Sequence, residues 1–468
     1  MAFSHSLLLL CCLAVLGVTG ADGDNHDIPS LSSTAITSDY CIIGGGSSGT
    51  YAAIRLQQLG KTVTLIEKES RLGGHVNTYV DPVTGSSFDY GVITFDNISV
   101  VTNYFNYFDI PIGPFNYGNT TTVYIDFANG SIVPDTALPQ GNTTAALLRY
   151  LDQWDKYPYL SNGFNLPSPV PEDFLITWAE FLEKYDLGAL AFTAFTYLEG
   201  VGNILAQPTL YMMKYLAKMT VENILGFGFL TTAHQDNQEL YDKALAKLDA
   251  NALISSKVTH ISRHNDSVEI FVSTPTGPKL IKSSKLLIAI QPSLNNLKFL
   301  DLDPEEKSLF SRFNNSYYWD GVLRNTGIPD SISLTNVDLS APYAIPPMPG
   351  IYDIGYAGIP KLQTVYYSSP YFISDDEVKA DILATTARLV KSLGYPPANG
   401  TTELVGFNSH APFELTVSTD EVKSGFYDRL NALQGKRSTF WTGATWQAHD
   451  SSQIWNWTEY TLLPQLLA

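Results

Sequence analysis

Along the first hundred residues the apolar positions change period from strand to helix and back. Ile42 and Ile43 close a short apolar strand, with Cys41 alternating into it. From Thr50 to Leu59, Ala52, Ala53, Leu56 and Leu59 recur at helical spacing, which predicts a helix with those side chains on its inner face. Gly60 stops that helix, and Thr62-Val-Thr-Leu-Ile reads as a second strand ending in Glu67. Farther along, Pro171 opens a predicted helix with Glu172 and Asp173 in its first turn and Trp178, Phe181, Leu182 and Tyr185 at helical spacing. Helices are expected to continue over Leu187–Tyr197 and Pro208–Met219. Another runs through Leu240, Leu245 and Leu248, and a last one from Asp375 to Leu393. Leu253–Val258 with Ile261, and Lys285–Pro292, read as strands. Pro and Gly break the chain between Pro329 and Gly358, and no internal repeat or low-complexity tract is present.

Between the first strand and the first helix lie Gly44, Gly46 and Gly49, spaced G-x-G-x-x-G. Each has a mechanical reason. Gly44 permits the tight turn, Gly46 lets backbone approach a pyrophosphate, and Gly49 lets helix and strand pack closely. The helix start offers free N–H groups and the positive end of its dipole to phosphate. Glu67 ends the second strand where a carboxylate can accept ribose hydroxyls. A strand, these glycines, a helix and an acid in this order predict an α/β, Rossmann-like dinucleotide-binding unit.

Arg71-Leu-Gly-Gly-His75 follows, then Asp89-Tyr-Gly91. This chain resembles the flavin amine oxidase superfamily, in which E-x-x-x-R-x-G-G and then D-x-G follow the first unit; Glu67, Arg71, Gly73, Gly74, Asp89 and Gly91 match. The resemblance implies FAD. It also implies that Val258 lies on the strand whose backbone meets the adenine, and that Gly443 and Ala444 of Phe440-Trp-Thr-Gly-Ala close over the pyrophosphate and ribityl chain. The implied architecture is an FAD-binding domain from residues 37–95, 236–300 and 429–468, interleaved with an α+β substrate domain from 96–235 and 301–428. Gly73–Tyr79, Asp-Tyr-Gly and Trp-Thr-Gly-Ala-x-Trp look most like the branch of β-cyclopiazonate dehydrogenase and related fungal natural-product flavoenzymes.

Composition narrows the partners. Hydrophobic residues are 44% of the 468 and charged residues 16%, enough for a large core. A net charge of −18 argues against nucleic acid, whose phosphates need a basic face. Leu7–Val18 is apolar but too short to span a bilayer, and small residues follow it. Residues 1–20 therefore read as a signal peptide, with no stable membrane span after it. Eight sequons begin at Asn97, Asn119, Asn129, Asn142, Asn265, Asn314, Asn399 and Asn456. Chance would give roughly four, so a glycosylated chain in the secretory lumen or outside the cell is expected. Beyond the signal only Cys41 remains, which excludes an internal disulfide and a thioether from FAD to a C-terminal cysteine. No metal is called for.

The resemblance assigns redox chemistry to the flavin and orientation to the protein. His75 stands where amine oxidases often carry Arg. Donating to the flavin, acting as base, holding the flavin covalently, or bonding a phosphate or backbone group are all open to it. Tyr90 and Phe95 flank the D-x-G element. Amine oxidases set two aromatic rings opposite the flavin, so one of Trp446, Trp455 and Trp457 is expected to pair with Tyr366 or Tyr367. Trp455 and Tyr366 are the candidates of choice, with His75 as the third catalytic residue. His449, Asp450 and Ser452 are placed to bond the flavin's pyrimidine edge. The family's lysine near the flavin has no clear match, since Lys214 and Lys361 lack context. The resemblance to the fungal natural-product branch implies oxidation of a small lipophilic terpenoid or indole-derived intermediate, often with ring closure, and dioxygen or another acceptor takes the electrons. A secreted amine or amino-acid oxidase making peroxide is the alternative, for which Arg149, Arg312 or Arg324 would pair a carboxylate. A flavin-bearing isomerase or non-enzyme is the third.

Overall fold

The computed structural model describes residues 35–116, 118, 120–396 and 400–468; the predicted signal peptide, Asn119 and Asn399 lie outside them. The first strand, β1, is Ile36–Ile43, and its last four residues are buried on both faces, as a central parallel strand requires. Helix α1 is Ser47–Gln58 and strand β2 is Val63–Ile66. The helix begins three residues before the apolar repeat does, because Ser47, Ser48 and Gly49 carry no apolar signal while the turn already sets their backbone.

β1 pairs in parallel with β2 on one side and with Gly277–Ile288 on the other, in register from Ile36 opposite Ile281 to Ile43 opposite Ile288. Thr439–Trp441 adds in parallel beyond Gly277–Ile288, and Ala252–Leu253 adds beyond β2. The early half of Gly277–Ile288 instead pairs antiparallel with Val268–Thr274, which pairs with Lys257–Arg263. The expected strand over Leu253–Val258 is therefore two strands. A turn divides them, with Ser255 at φ 47° and the Ser256 N–H donating to Glu67 O at 2.8 Å.

A second sheet runs, in spatial order, Glu403–Ser409, Tyr317–Arg324, Leu362–Ser369, Gly350–Tyr356, Ile332–Asn336, Thr121–Asp126, Ser131–Ile132. Side chains alternate between its faces. Trp319 and Tyr367 point to the helix Asp375–Ser392, bonding Asp375 Oδ1 (2.9 Å) and Asp381 Oδ2 (3.0 Å). Their chain neighbours Asp320 and Tyr366 point the other way, into the interior.

The helical region differs from the predicted one in two places. Glu172–Leu175 is a single 3₁₀ turn, and a separate helix, Trp178–Lys184, starts from a capping box between Thr177 and Glu180. The acid of that turn, Asp173, is instead bonded by Lys184, Tyr157 and Tyr185. Pro208–Met219 divides into Thr209–Tyr215 and Lys218–Glu222. Among the described residues no helix is long and apolar enough to cross a membrane.

Candidate active site

The glycine turn is shaped by contacts that exclude side chains. A Cβ on Gly49 would stand 1.9 Å from Gly44 O, and one on Gly44, at φ +104°, 2.8 Å from Ala289 O. Gly46 is different: a Cβ there would meet nothing closer than Gly74 Cα at 3.9 Å, leaving an open concave surface. Gly46 also caps α1 with no side-chain bond, and no acid stands in the helix's first turn. The helix therefore keeps free N–H groups beside open space. Glu67 Oε2 accepts from Gly45 N–H at 2.6 Å and Oε1 from Glu69 N–H at 2.8 Å, fixing the carboxylate at the end of β2.

The Gly73–Gly74 pair lies against this turn, with Gly73 N–H donating to Gly45 O at 2.8 Å. Arg71 holds the pair from behind. Its guanidinium donates to Val76 O (2.8 Å), Gln238 Oε1 (2.7 Å) and Asn77 Oδ1 (2.6 Å). Arg71, expected to bind cofactor, thus shows in its bonds a loop clamp. Asp89 accepts the Asn237 N–H at 2.9 Å and the Thr78 hydroxyl, so it anchors the helix Gln238–Leu248; burial pushes its carboxyl up to about 7. Gly91 must lack a side chain, because a Cβ there would be 2.2 Å from His75 O. At the far end of the sheet Val258 pairs with Val272 just before a bulge.

Gly443, at φ +107°, brings the C-terminal segment over the start of α1, its Cβ position 3.6 Å from Ser48 Oγ. Beside it Ser47 Oγ donates to Ser451 Oγ at 2.8 Å. The tryptophans that follow need correction. Trp455 is fully buried, stacked on Phe95 at 5.4 Å and Tyr51 at 5.6 Å, with its Nε1–H on Ser47 O at 3.2 Å. No face of that ring is open to a substrate. The helix carrying it turns its aromatic stripe onto α1, so Trp455 braces the cradle rather than lining a pocket. Trp446 stacks on Trp441 at 5.6 Å and Trp457 is likewise buried. Asp450 caps that helix through Gln453 N–H (2.8 Å), and Ser452 Oγ accepts from Asp96 N–H (2.9 Å). Both are committed to protein bonds.

His75 lies deep in the molecule yet retains open surface, so it faces an interior space rather than packed protein. Its ring is 4.2 Å from that of His410 and 6.1 Å from Phe413, which in turn lies 4.4 Å from His449. Burial holds His75 well below the usual imidazole range, helped by the neighbouring His410 and His449. His449 is lowered by burial to about 4. The partner of Tyr366 is Tyr318, parallel to within 5° at 6.4 Å, and Tyr318 also stacks on His410 at 5.6 Å. Tyr367 is on the other face and is excluded. Tyr318 donates to Glu199 Oε2 at 2.8 Å, and burial raises both Glu199 and its neighbour Asp353, so this carboxyl pair keeps a proton at neutral pH.

Sequence reading missed His410, Asp320, Tyr318 and the Glu199–Asp353 pair. Asp320, Tyr318 and Asp353 carry only the alternation of strands, Glu199 and His410 lie just outside helix and strand ends, and the partners are far apart in the chain. It also passed over Lys214. That ammonium is buried, bonded to Leu160 O (2.6 Å), Gly163 O (3.1 Å) and Gln447 Oε1 (2.8 Å), and burial lowers it well below the ordinary lysine range. It shares a small pocket with Glu414, His449 and Ala444. Glu414 Oε2 has no partner among the described residues, and burial pushes its carboxyl up to about 8.

A phosphate-ready helix start, an acid at the end of β2 and a second glycine pair against the first define a flavin-dinucleotide protein, and the open face of Gly46 fits the cofactor. Comparisons with known proteins agree. The family described as an NAD(P)-binding Rossmann-like domain matches residues 42–109. FAD-dependent oxidoreductase oblC of Cochliobolus heterostrophus is 39% identical, covering 98% of this chain and 97% of its own. β-Cyclopiazonate dehydrogenase of Aspergillus oryzae is 33% identical, over 91% and 92%. The fold is shared with the CLA-producing fatty acid isomerase from P. acnes (TM-score 0.73, 20% identity, 91% and 98% covered) and with putrescine oxidase (0.64, 15%, 92% and 100%). The chain belongs to the FAD-dependent oxidoreductases.

Proposed function

We propose that this chain oxidises a lipophilic secondary-metabolite intermediate, terpenoid or indole-derived, with ring closure on the oxidised product, and that it works in the secretory lumen or outside the cell. The observation that carries the substrate class is the interior wall of His75, His410, Phe413, Tyr318 and Tyr366, which is aromatic and holds no fixed anion on its open face. When bound, FAD supplies a two-electron acceptor for a substrate hydride, and dioxygen or another acceptor removes the electrons. The chain's residues orient and exclude water: Tyr318 and Tyr366 present their parallel rings to one side of a flat or polyene substrate, and His75 takes the proton lost with the hydride. Val258 and Glu67 hold the adenosine end, and Gly443–Ala444 cover the pyrophosphate.

The amino-acid oxidase reading loses its main support, because the three arginines considered for a substrate carboxylate are engaged elsewhere. Arg149 bonds Asp186, Arg312 bonds Glu421, and Arg324 bonds Tyr79 (2.7 Å) and Asp81 (3.2 Å). The location rests on the apolar Leu7–Val18 run and on sequon asparagines 97, 129, 142, 265 and 314, all of which are exposed. Deleting the gene and profiling metabolites tests the function. A lipophilic intermediate should accumulate, and it should bleach the purified flavin anaerobically. Peroxide release from mixed amino acids with no response to that intermediate overturns the reading.

A further inference from the structure

His410 is almost wholly buried, and its two ring nitrogens differ sharply. Nε2 is 2.6 Å from Asp320 Oδ2. An ionised carboxylate only accepts, so Nε2 carries the hydrogen and Nδ1 is the bare, basic nitrogen. Nδ1 is also buried and has no partner among the described residues, which is costly unless it has a task. Asp320 is itself fully buried and is held on its other oxygen by Asn408 Nδ2 at 3.1 Å, whose second hydrogen goes to Tyr90 OH at 2.9 Å. The carboxylate is therefore fixed in place and aimed at one imidazole. Against that imidazole, edge to face at 4.2 Å, lies His75, the ring open to the interior.

We propose that Asp320 and His410 form a proton sink behind His75, receiving through His75 the proton that leaves a substrate during its oxidation. This rests on the reading of the interior as the oxidation site. In the step, a substrate O–H or N–H bond breaks, its proton forms an N–H bond on His75 and its electron pair forms the new double bond to carbon, while FAD, when bound, would accept the hydride lost from that carbon. Once the His75 ring turns its N–H toward His410 Nδ1, which makes no bond in the observed edge-to-face arrangement, the proton passes to Nδ1, and the imidazolium so formed faces the Asp320 carboxylate. His75 is neutral again, and the next turnover waits until His410 has given its proton up, as it can to the acceptor when that takes the electrons. Two imidazolium rings this close repel, so the pair holds one proton at a time. His75 is faced by His410, His449, Arg71 and Lys68, all of which oppose its protonation. His410 is faced by Asp320, Tyr318 and His75, of which only Asp320 is a fixed anion. His410 is a positioning residue here, acting through His75.

The test is ¹⁵N NMR of histidine-labelled, FAD-loaded full chain, titrated in the wild type and in Asp320→Asn and His410→Gln. His410 should show the Nε2–H tautomer and take up the pair's first proton. Asp320→Asn should weaken that uptake about tenfold or more, and His410→Gln should raise the proton affinity of His75 about tenfold. His410→Gln alone decides the matter if Asp320→Asn does not fold. A hydrogen on His410 Nδ1 overturns the proposal, as does His75 titrating within twofold of wild type in the folded variants. No substrate is needed, so failure here leaves the oxidation of a lipophilic intermediate standing. Coupled histidines in a chain that bleaches with no such intermediate would count against that function alone.

Discussion

The carbonyl oxygen of Gly44 occupies the place a Cβ on Gly49 would need, the two lying 1.9 Å apart, although four residues of turn and helix separate them. The glycines of one motif thus do two different jobs, and substitutions separate them. Gly46→Val should fold, since only Gly74 Cα lies near its Cβ, but should purify colourless because the valine fills the pyrophosphate surface. Gly49→Ala should fail to fold or lose well over the roughly 1–3 kcal/mol typical of an overpacked core. Flavin absorbance and circular dichroism distinguish the outcomes, and a yellow Gly46→Val would contradict the cradle.

Trp455 and Tyr366 were equal candidates by sequence, and the structure predicts opposite phenotypes. Trp455→Ala empties a fully enclosed site and should cost about 3–5 kcal/mol, seen as a large fall in Tm. Tyr366→Phe should leave Tm within a degree or two and change substrate turnover. Loss of turnover at unchanged Tm in Trp455→Ala would return that tryptophan to the active site.

Replacing His75 with Ala should leave FAD largely bound, because Arg71 and the glycines hold the loop without it. Flavin reduction by the accumulated intermediate should slow about 10²–10⁴-fold, the usual worth of a general base or a charge-stabilising contact. Acid precipitation of wild type reports separately whether the colour stays with protein, as a histidyl–flavin bond requires. Stopped-flow rates equal to wild type would make His75 structural.

Glu414 gives a pH signature. Its folded pKa of about 8 lies above its ordinary 4.5, so between these values the folded chain binds the extra proton. Stability from this group is present at low pH and is lost as pH rises through that window, by at most about 1.4 kcal/mol per pH unit. Glu414→Gln removes the loss, so the variant should overtake wild type in denaturant midpoint by pH 8. Parallel pH curves for the two proteins would show that Glu414 is ionised without penalty.

If the chain enters the secretory pathway, glycosidase treatment should lower its mass and Edman sequencing should begin near Ala21. Asn456 is the sequon to find bare, being half-buried on the helix Ser451–Trp457. An intact Met1 and no mass change would contradict the location.

The cofactor half was legible because its signals are local: glycine spacing, an apolar strand, an acid a helix away. Glu67 could be read from its immediate neighbours in the chain, and Gly443 only from the resemblance of Phe440–Ala444 to the family's closing segment. The catalytic wall was not. Asp320 and His410 meet because two strands of the second sheet lie side by side, and nothing near either residue announces the other. Tyr366 and Tyr367 look alike in sequence, and only the sheet's alternation sends one inward and the other to Asp381. The tryptophans misled for a related reason. Large aromatic rings close together mark a core as readily as a cage, and composition cannot tell which.

Ser47 and Ser451 touch across 404 residues of chain. Contacts so distant in sequence are the last to be made, because closing the loop costs entropy before any contact rewards it. During synthesis the first glycine turn emerges early, with its helix start exposed and uncovered. Gly443 and the helix start at Ser451 reach it only after both halves of the second sheet have been made. The cradle can thus be covered only once nearly the whole chain has been made, and protein that has not acquired FAD should be recognisable by faster proteolysis around Gly443.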